Sequence, residues 1–332
     1  MMRSVKSTLR ALLARAGAVL FAAAALTGAA FADGWHREYF PNSVLKTHDG
    51  RDVKFYDDMI KDKVVVIQFM FTSCTDICPA ETAQLRKVYD LLAARMGKDI
   101  FFYSISIDPE RDTPAEMAKY AARFKTGPGW TFLTGSREDV STLQRKLGLL
   151  SGDLKSLGDH ATAVMIGNER TSRWTKRSPY DSPEVMANLI GNSFAGTTGR
   201  IASAGSYENS SKIGANAISP GAFAFRARCA SCHRVGGGDD LGPDLAGVTQ
   251  KRDRAWLSRW IQEPDKMIAE KDPTAVALLA KWNNLRMPNL GLGPVEADAI
   301  LNYLDDETKK LAAAAAERSR DAQAAGAKPG GK

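Results

Sequence analysis

Residues able to do chemistry are scarce in this chain. Its 332 residues hold only four cysteines and four histidines, so any redox or metal site must be assembled from a short list. The cysteines lack the spread of a disulfide scaffold and fall into two close pairs, Cys74/Cys78 and Cys229/Cys232. A strong excess of one charge is missing as well. The 45 basic and 38 acidic residues give +7, and +3 (7 − 4) once Arg3, Lys6, Arg10 and Arg15 of the first fifteen residues are set aside, which gives no support to nucleic acid as a partner. Nor is there an internal repeat.

Long apolar runs are equally rare. The uncharged stretch 16–32, mostly Ala and Gly, is at the short limit for a membrane span and ends in Ala30-Phe31-Ala32. Four cations ahead of it and small residues at its end make residues 1–32 a secretory signal cleaved before Asp33, in preference to an uncleaved inner-membrane anchor. The expected location is the periplasm.

Beyond residue 32 the chain is built in two parts. Val64 to Phe71 is a near-continuous apolar run, the pattern of a strand buried on both faces. Leu85, Val88, Tyr89 and Leu92 then recur at helical spacing, and residues 100–107 read as a second buried strand. Thr113-Pro114-Ala115-Glu116 supplies an N-cap, a proline at the first helical position and a capping-box acid. Further strands at 130–133, 161–166 and 171–175, with helices around Val140 to Leu147 and from Pro183, complete an α/β domain over 33–190. Residues 191–219, rich in Gly, Ala, Ser, Thr and Asn, read as a flexible linker. Residues 220–306 carry helical patterns only, among them Trp256, Leu257, Trp260 and Ile261 on one face, and read as a small all-α domain. The tail 307–332 is expected to fray.

The first cysteine pair lies in Cys74-Thr75-Asp76-Ile77-Cys78-Pro79, where the first long strand turns into its helix. The helix N-terminus favours thiolate there, and the spacing puts both sulfurs on one side of the first turn. They are placed to share a soft ion or to oxidise to a disulfide. In a thioredoxin-like arrangement the loop holding Asp159-His160 comes beside that turn, so His160 would complete a Cys2His site suited to Cu(I) and Cu(II), and also to zinc. Asp159 reads equally as an acceptor orienting the His160 ring and as a loop acid.

Several separate motifs, Phe40-Pro41-Asn42, Thr47-His48-Asp49-Gly50, Phe55-Tyr56-Asp57-Asp58, the metal-site segment from Phe71 to Pro79, Asp108-Pro109-Glu110-Arg111-Asp112-Thr113-Pro114 and Asp159-His160, resemble the Sco/SenC family from about Tyr39 to Ile190. The resemblance implies a thioredoxin-like fold, copper on Cys74, Cys78 and His160, and a chaperone that delivers copper to the CuA subunit of cytochrome oxidase or another periplasmic copper acceptor. It also implies a thiol reductant role for the Cys74/Cys78 pair. Ala161 stands where the family commonly has serine. Asp108, Arg111 and Asp112 read as turn and cap residues.

The second pair lies in Cys229-Ala230-Ser231-Cys232-His233, the C-x-x-C-H signature of covalent haem c attachment, with His233 as an axial ligand. The alternative, a zinc half-site, lacks a second Cys/His pair. From Pro220 to Asp305 the chain resembles class I cytochromes c, which implies that the Pro243 carbonyl in Gly242-Pro243-Asp244-Leu245 orients His233. It also implies that Arg286-Met287-Pro288-Asn289 is the distal loop, with Met287 the sixth ligand. No histidine comes after His233, and Met/His ligation leaves no open position at the iron.

The function expected is a periplasmic copper chaperone with a fused haem c electron-transfer domain, the haem controlling the redox state of copper or dithiol, with a further periplasmic redox partner. The alternative is a thiol-disulfide oxidoreductase in which Cys74 attacks and Cys78 resolves. Its C-x3-C spacing is unlike the C-x-x-C of redox thioredoxins. A plain electron carrier or copper sensor is the third reading.

Overall fold

The computed structural model describes residues 37–75, 77–150, 162–196 and 218–326. The leader, most of the linker, Asp159 and His160 lie outside the described residues. Among those described, no helix is long and apolar enough to cross a membrane.

A seven-stranded sheet organises the first domain, in the order β2-β1-β5-β4-β3-β6-β7. Its strands are β1 Val44–Thr47, β2 Asp52–Lys54, β3 Val64–Met70, β4 Ile100–Ser106, β5 Trp130–Thr134, β6 Val164–Asn168 and β7 Arg173–Arg177. Central β3 runs parallel to β4, and β4 to β5, whereas β6 is antiparallel to β3 and β7 to β6. The sub-order β4-β3-β6-β7, with a helix between β3 and β4, is the thioredoxin-like arrangement. All seven residues of β3 are buried, and they alternate between two cores: Val64, Val66 and Met70 on one face, Val65, Ile67 and Phe69 on the other. Each such side chain contributes roughly 1.5–3 kcal/mol of burial. That two-sided burial is why the strand reads as an unbroken apolar run rather than an alternating one.

Helices α1 Ile77–Leu91, α2 Pro114–Arg123, α3 Arg137–Lys146 and α4 Pro183–Asn188 cover the sheet. The cap read from the sequence forms: the Thr113 hydroxyl accepts from the Glu116 amide, with Pro114 at the first position. After α4 the chain makes one more wide turn, Leu189–Phe194, in which Ile190 and Phe194 are buried. Asn168 Nδ2 donates to the Phe194 carbonyl at 2.6 Å and Arg95 to that of Gly191 at 2.6 Å. The first domain therefore extends to Phe194, past the expected end at residue 190, because these apolar residues complete its core.

The second domain is helical throughout its described residues: α5 Pro220–Arg228, α6 Val248–Lys251, α7 Arg254–Gln262, α8 Pro264–Ala269, α9 Pro273–Lys281 and α10 Pro294–Gly326. Phe225, Leu257, Ile261, Leu292, Ala297, Ile300, Leu301 and Leu304 form its core. Gly221 lets α5 close on α10, since a Cβ there would sit 2.0 Å from the Ala299 carbonyl oxygen. The tail departs from expectation. Instead of fraying from residue 307, α10 continues to Gly326. Its packed first turns provide the nucleus, and the alanines at 312–316 are the best helix formers available for propagation.

Candidate functional site

Two centres form, and they lie against each other. At the first, the chain leaves β3 through Thr72 and Ser73 to Cys74, and α1 begins at Ile77. Buried Asp112 holds this turn. It accepts from the Thr72 amide at 3.0 Å, from the Thr72 hydroxyl at 2.5 Å and from the Ser106 hydroxyl at 2.6 Å, tying the turn to the end of β4. The structural role read for Asp112 is thus support for the cysteine turn. Arg111 is exposed and approaches Asp108 at 3.6 Å.

Cys74 is partly exposed, Cys78 is wholly buried, and the two are hydrogen-bonded to one another. That bond, and after it burial, drives the Cys78 thiol far above its ordinary range. At Cys78 itself the pull of the helix end towards thiolate is overcome. A helix end offers about half a charge, and here a second sulfur in contact and full desolvation outweigh it. A bound cation would reverse the balance by stabilising the thiolate directly.

A polar floor, unread in the sequence, underlies the pair. Glu81 is 2% exposed, and its Oε1 has no hydrogen-bond partner. Burial pushes its carboxyl up to about 8, against a hydrogen bond with Gln68 that lowers it. Gln68 interrupts the apolar β3 and reaches Thr82 and Ser104, and Thr82 meets the Tyr120 hydroxyl at 3.1 Å. Tyr180 is raised by burial first and then by the charges of Glu81 and Cys78. The signal available for Glu81 was its position three residues after Cys78, on the inward face of the same helix. Among the described residues no cluster of three or more metal-binding side chains forms. Cys74 and Cys78 are the described part of the predicted Cys2His set, and Asp159 and His160 fall outside it. His48 is half-buried and accepts from the Phe132 amide at 3.3 Å.

The second centre is a cavity of about 430 Å³ in the helical domain. Cys229, Cys232, His233 and Met287 line it, although the first three and Met287 are more than fifty residues apart in the chain. The Cys229-to-His233 turn comes directly after α5, with the His233 amide donating to the Cys229 carbonyl at 3.0 Å. His233 Nδ1 lies 2.9 Å from the Pro243 carbonyl oxygen, which can only accept, so Nδ1 carries the proton and Nε2 keeps its lone pair. Burial, opposed by that bond, lowers the imidazole's proton affinity and keeps the ring neutral. Gly242 is required: a Cβ there would stand 2.5 Å from the His233 ring.

These residues fit a haem. The cavity has thiols and a neutral imidazole on one side and a thioether among its other lining residues. Trp282 Nε1, a buried donor without a partner, lines it too, as do the cations Lys251, Arg252 and Arg286. A porphyrin brings two acid groups that such donors satisfy. Trp256 and Trp260, stacked at 5.5 Å, also line the cavity instead of only packing in the core.

Comparison with known proteins agrees with this division. A family model described as SCO1/SenC matches residues 42–194, and one described as Cytochrome c matches residues 218–307. A "SCO2-like protein" of Rickettsia felis is 34% identical over 147 residues, which is 42% of this chain and 70% of that protein. A "Putative copper-binding protein" of Stutzerimonas stutzeri is 28% identical over 142 residues, 41% of this chain and 68% of that one. Of a fission yeast relative, "Protein sco1", the chain spans only 37% of the length. A solved cytochrome c domain of the pp3183 protein from Pseudomonas putida is 50% identical, with 27% of this chain and 90% of that one covered, at a TM-score of 0.26. With the first domain matched along its length and most of the Rickettsia relative covered, the chain belongs to the SCO1/SenC family and carries a cytochrome c domain behind it.

Proposed function

We propose that this chain is an exported, periplasmic copper-binding protein that passes its metal to a copper acceptor such as the CuA subunit of cytochrome oxidase, with a covalently held haem c as its electron-transfer partner. The observation that carries the proposal is the pair of mutually hydrogen-bonded thiols at the head of α1, one buried and one accessible, in a domain of the SCO1/SenC family. Two thiolates suit Cu(I), and His160 adds the imidazole that Cu(II) prefers. The copper is cargo, and Cys74, the more exposed sulfur, is the one an acceptor meets first.

In the second domain Cys229 and Cys232 would hold the haem by thioether bonds, and His233 and Met287 would ligate its iron. When bound, the haem supplies one-electron chemistry with no open coordination position. The residues do the positioning. Pro243 fixes the His233 tautomer, Gly242 leaves room for the ring, and Trp282 with the lining cations would meet the acid groups.

The test is anaerobic Cu(I) titration of the reduced, haem-loaded chain, with Cys74→Ser and His160→Ala alongside. One copper per chain is expected, lost in Cys74→Ser and weakened in His160→Ala, with haem absorption retained in both. A chain that takes up no copper yet turns over a disulfide substrate would replace this reading with the oxidoreductase one.

A further inference from the structure

The two centres are pressed together by contacts that neither site requires. Asp240, in the loop after the haem-attachment turn, places its carboxylate 2.5 Å from Lys87 Nζ on α1, and both side chains are half-buried. Its backbone carbonyl accepts from Lys125 at 2.9 Å, and Arg234 of its own domain steadies the carboxylate at 3.2 Å. Arg123 reaches the Asn284 carbonyl at 3.4 Å near the far end of the contact.

Apolar residues fill the space between. Leu241, 4% exposed, belongs to the same buried cluster as Cys78, Leu85 and Phe124 of the first domain. Cys74 and Cys232, one sulfur from each centre, both pack against that cluster. Pro79, Ala80 and Phe124 of the first domain form part of the wall of the second domain's cavity.

The loop presenting Asp240 is preformed. Gly236, Gly237 and Gly238 take φ values of 82°, 93° and 94°, conformations that suit glycine, and Asp244 accepts from the Gly236 and Gly238 amides at 2.7 Å.

We propose that Asp240 is a docking anchor, seated on a basic ledge of Lys87 and Lys125, which holds the cytochrome domain on the head of α1 so that the copper domain becomes one wall of the haem pocket. The partner of that ledge is the chain's own second domain. The ion pair sets register, and the Leu241 contact seals the seam. Because the pair sits at the rim of the seam, docking weakens as salt shortens the range of its attraction, from about 10 Å at 0.1 M to about 3 Å at 1 M. The proposal rests on the haem reading only for what fills the pocket; the anchor itself is a contact between domains.

Carbodiimide cross-linking tests it on the full, haem-loaded chain, since the reagent joins a lysine amine to a carboxylate in contact. Mass mapping should find a Lys87–Asp240 bond within one chain, reduced at least tenfold in 1 M salt. Small-angle scattering should show a larger maximum dimension for Lys87→Glu, with compactness restored in Lys87→Glu/Asp240→Lys. Haem absorption, monitored in parallel, should not change. A missing cross-link, or a charge reversal that leaves the dimensions unchanged, would overturn the anchor. Haem loading is read by absorption and the anchor by the cross-link in the loaded chain, so the haem reading and the anchor fail by different measurements.

Discussion

Around Cys78 the protein is solid, and around His233 it is hollow. The dithiol turn rests on a fully buried strand and is tied down by Asp112 through the Thr72 amide and the Ser106 hydroxyl. The helical domain instead borders a cavity of about 430 Å³, beside which a cluster of eight buried apolar residues packs. A metal cargo that comes and goes needs a site that stands without it, whereas a permanent prosthetic group is free to serve as the missing centre of a core.

That contrast is broken most directly by preventing haem attachment. Without haem the apolar lining of this cavity, Phe225, Leu257, Ile261 and Leu301 among it, is left facing water, and the domain has few other buried contacts to offset that loss. The Cys229→Ser/Cys232→Ser chain is expected to lose the cooperative calorimetric transition of its second domain and to keep that of the first. Two intact transitions in the haem-free chain would show that the helical domain is as self-sufficient as the sheet.

The next largest effect belongs to Glu81. Its carboxyl titrates near 8 in the folded chain against 4.5 unfolded, so the unfolded state binds fewer protons between those values. Stability of the metal-free first domain should therefore fall as pH rises from about 4.5 to about 8, by up to about 5 kcal/mol. Denaturant melts across that range measure it. Glu81→Gln should flatten the dependence, and an unchanged slope would remove Glu81 as its source.

Asp112→Ala leaves the Thr72 amide and the Ser106 hydroxyl without their acceptor and should cost about 3 kcal/mol. Alkylation of Cys74 should quicken in the same variant, because the turn is no longer tied to β4. Removal of everything after Leu311 should matter least, within about 0.5 kcal/mol by thermal melt, since the helix beyond it is nearly all exposed.

Sequence pattern carried the sheet domain well wherever a local rule operated. The apolar run of β3, the Thr113-Pro114 cap and the C-x-x-C-H turn are each settled by neighbouring residues, and each has the expected form. What escaped depends on distance in the chain. Glu81 stands out only once Gln68 and the two thiols close over it, and Asp240 meets Lys87 across 153 residues. The helical tail departs from its expectation for a different reason. Low apolar content suggests fraying, but a helix already nucleated by Ala297, Ile300 and Leu301 needs only good propagators to continue.

That last helix also has a mechanical meaning. Leu311 lies against Gly236, and the fifteen residues from 312 to 326 rise about 22 Å beyond it at 1.5 Å each. The α10 extension is thus a rod held by its own backbone hydrogen bonds rather than by packing.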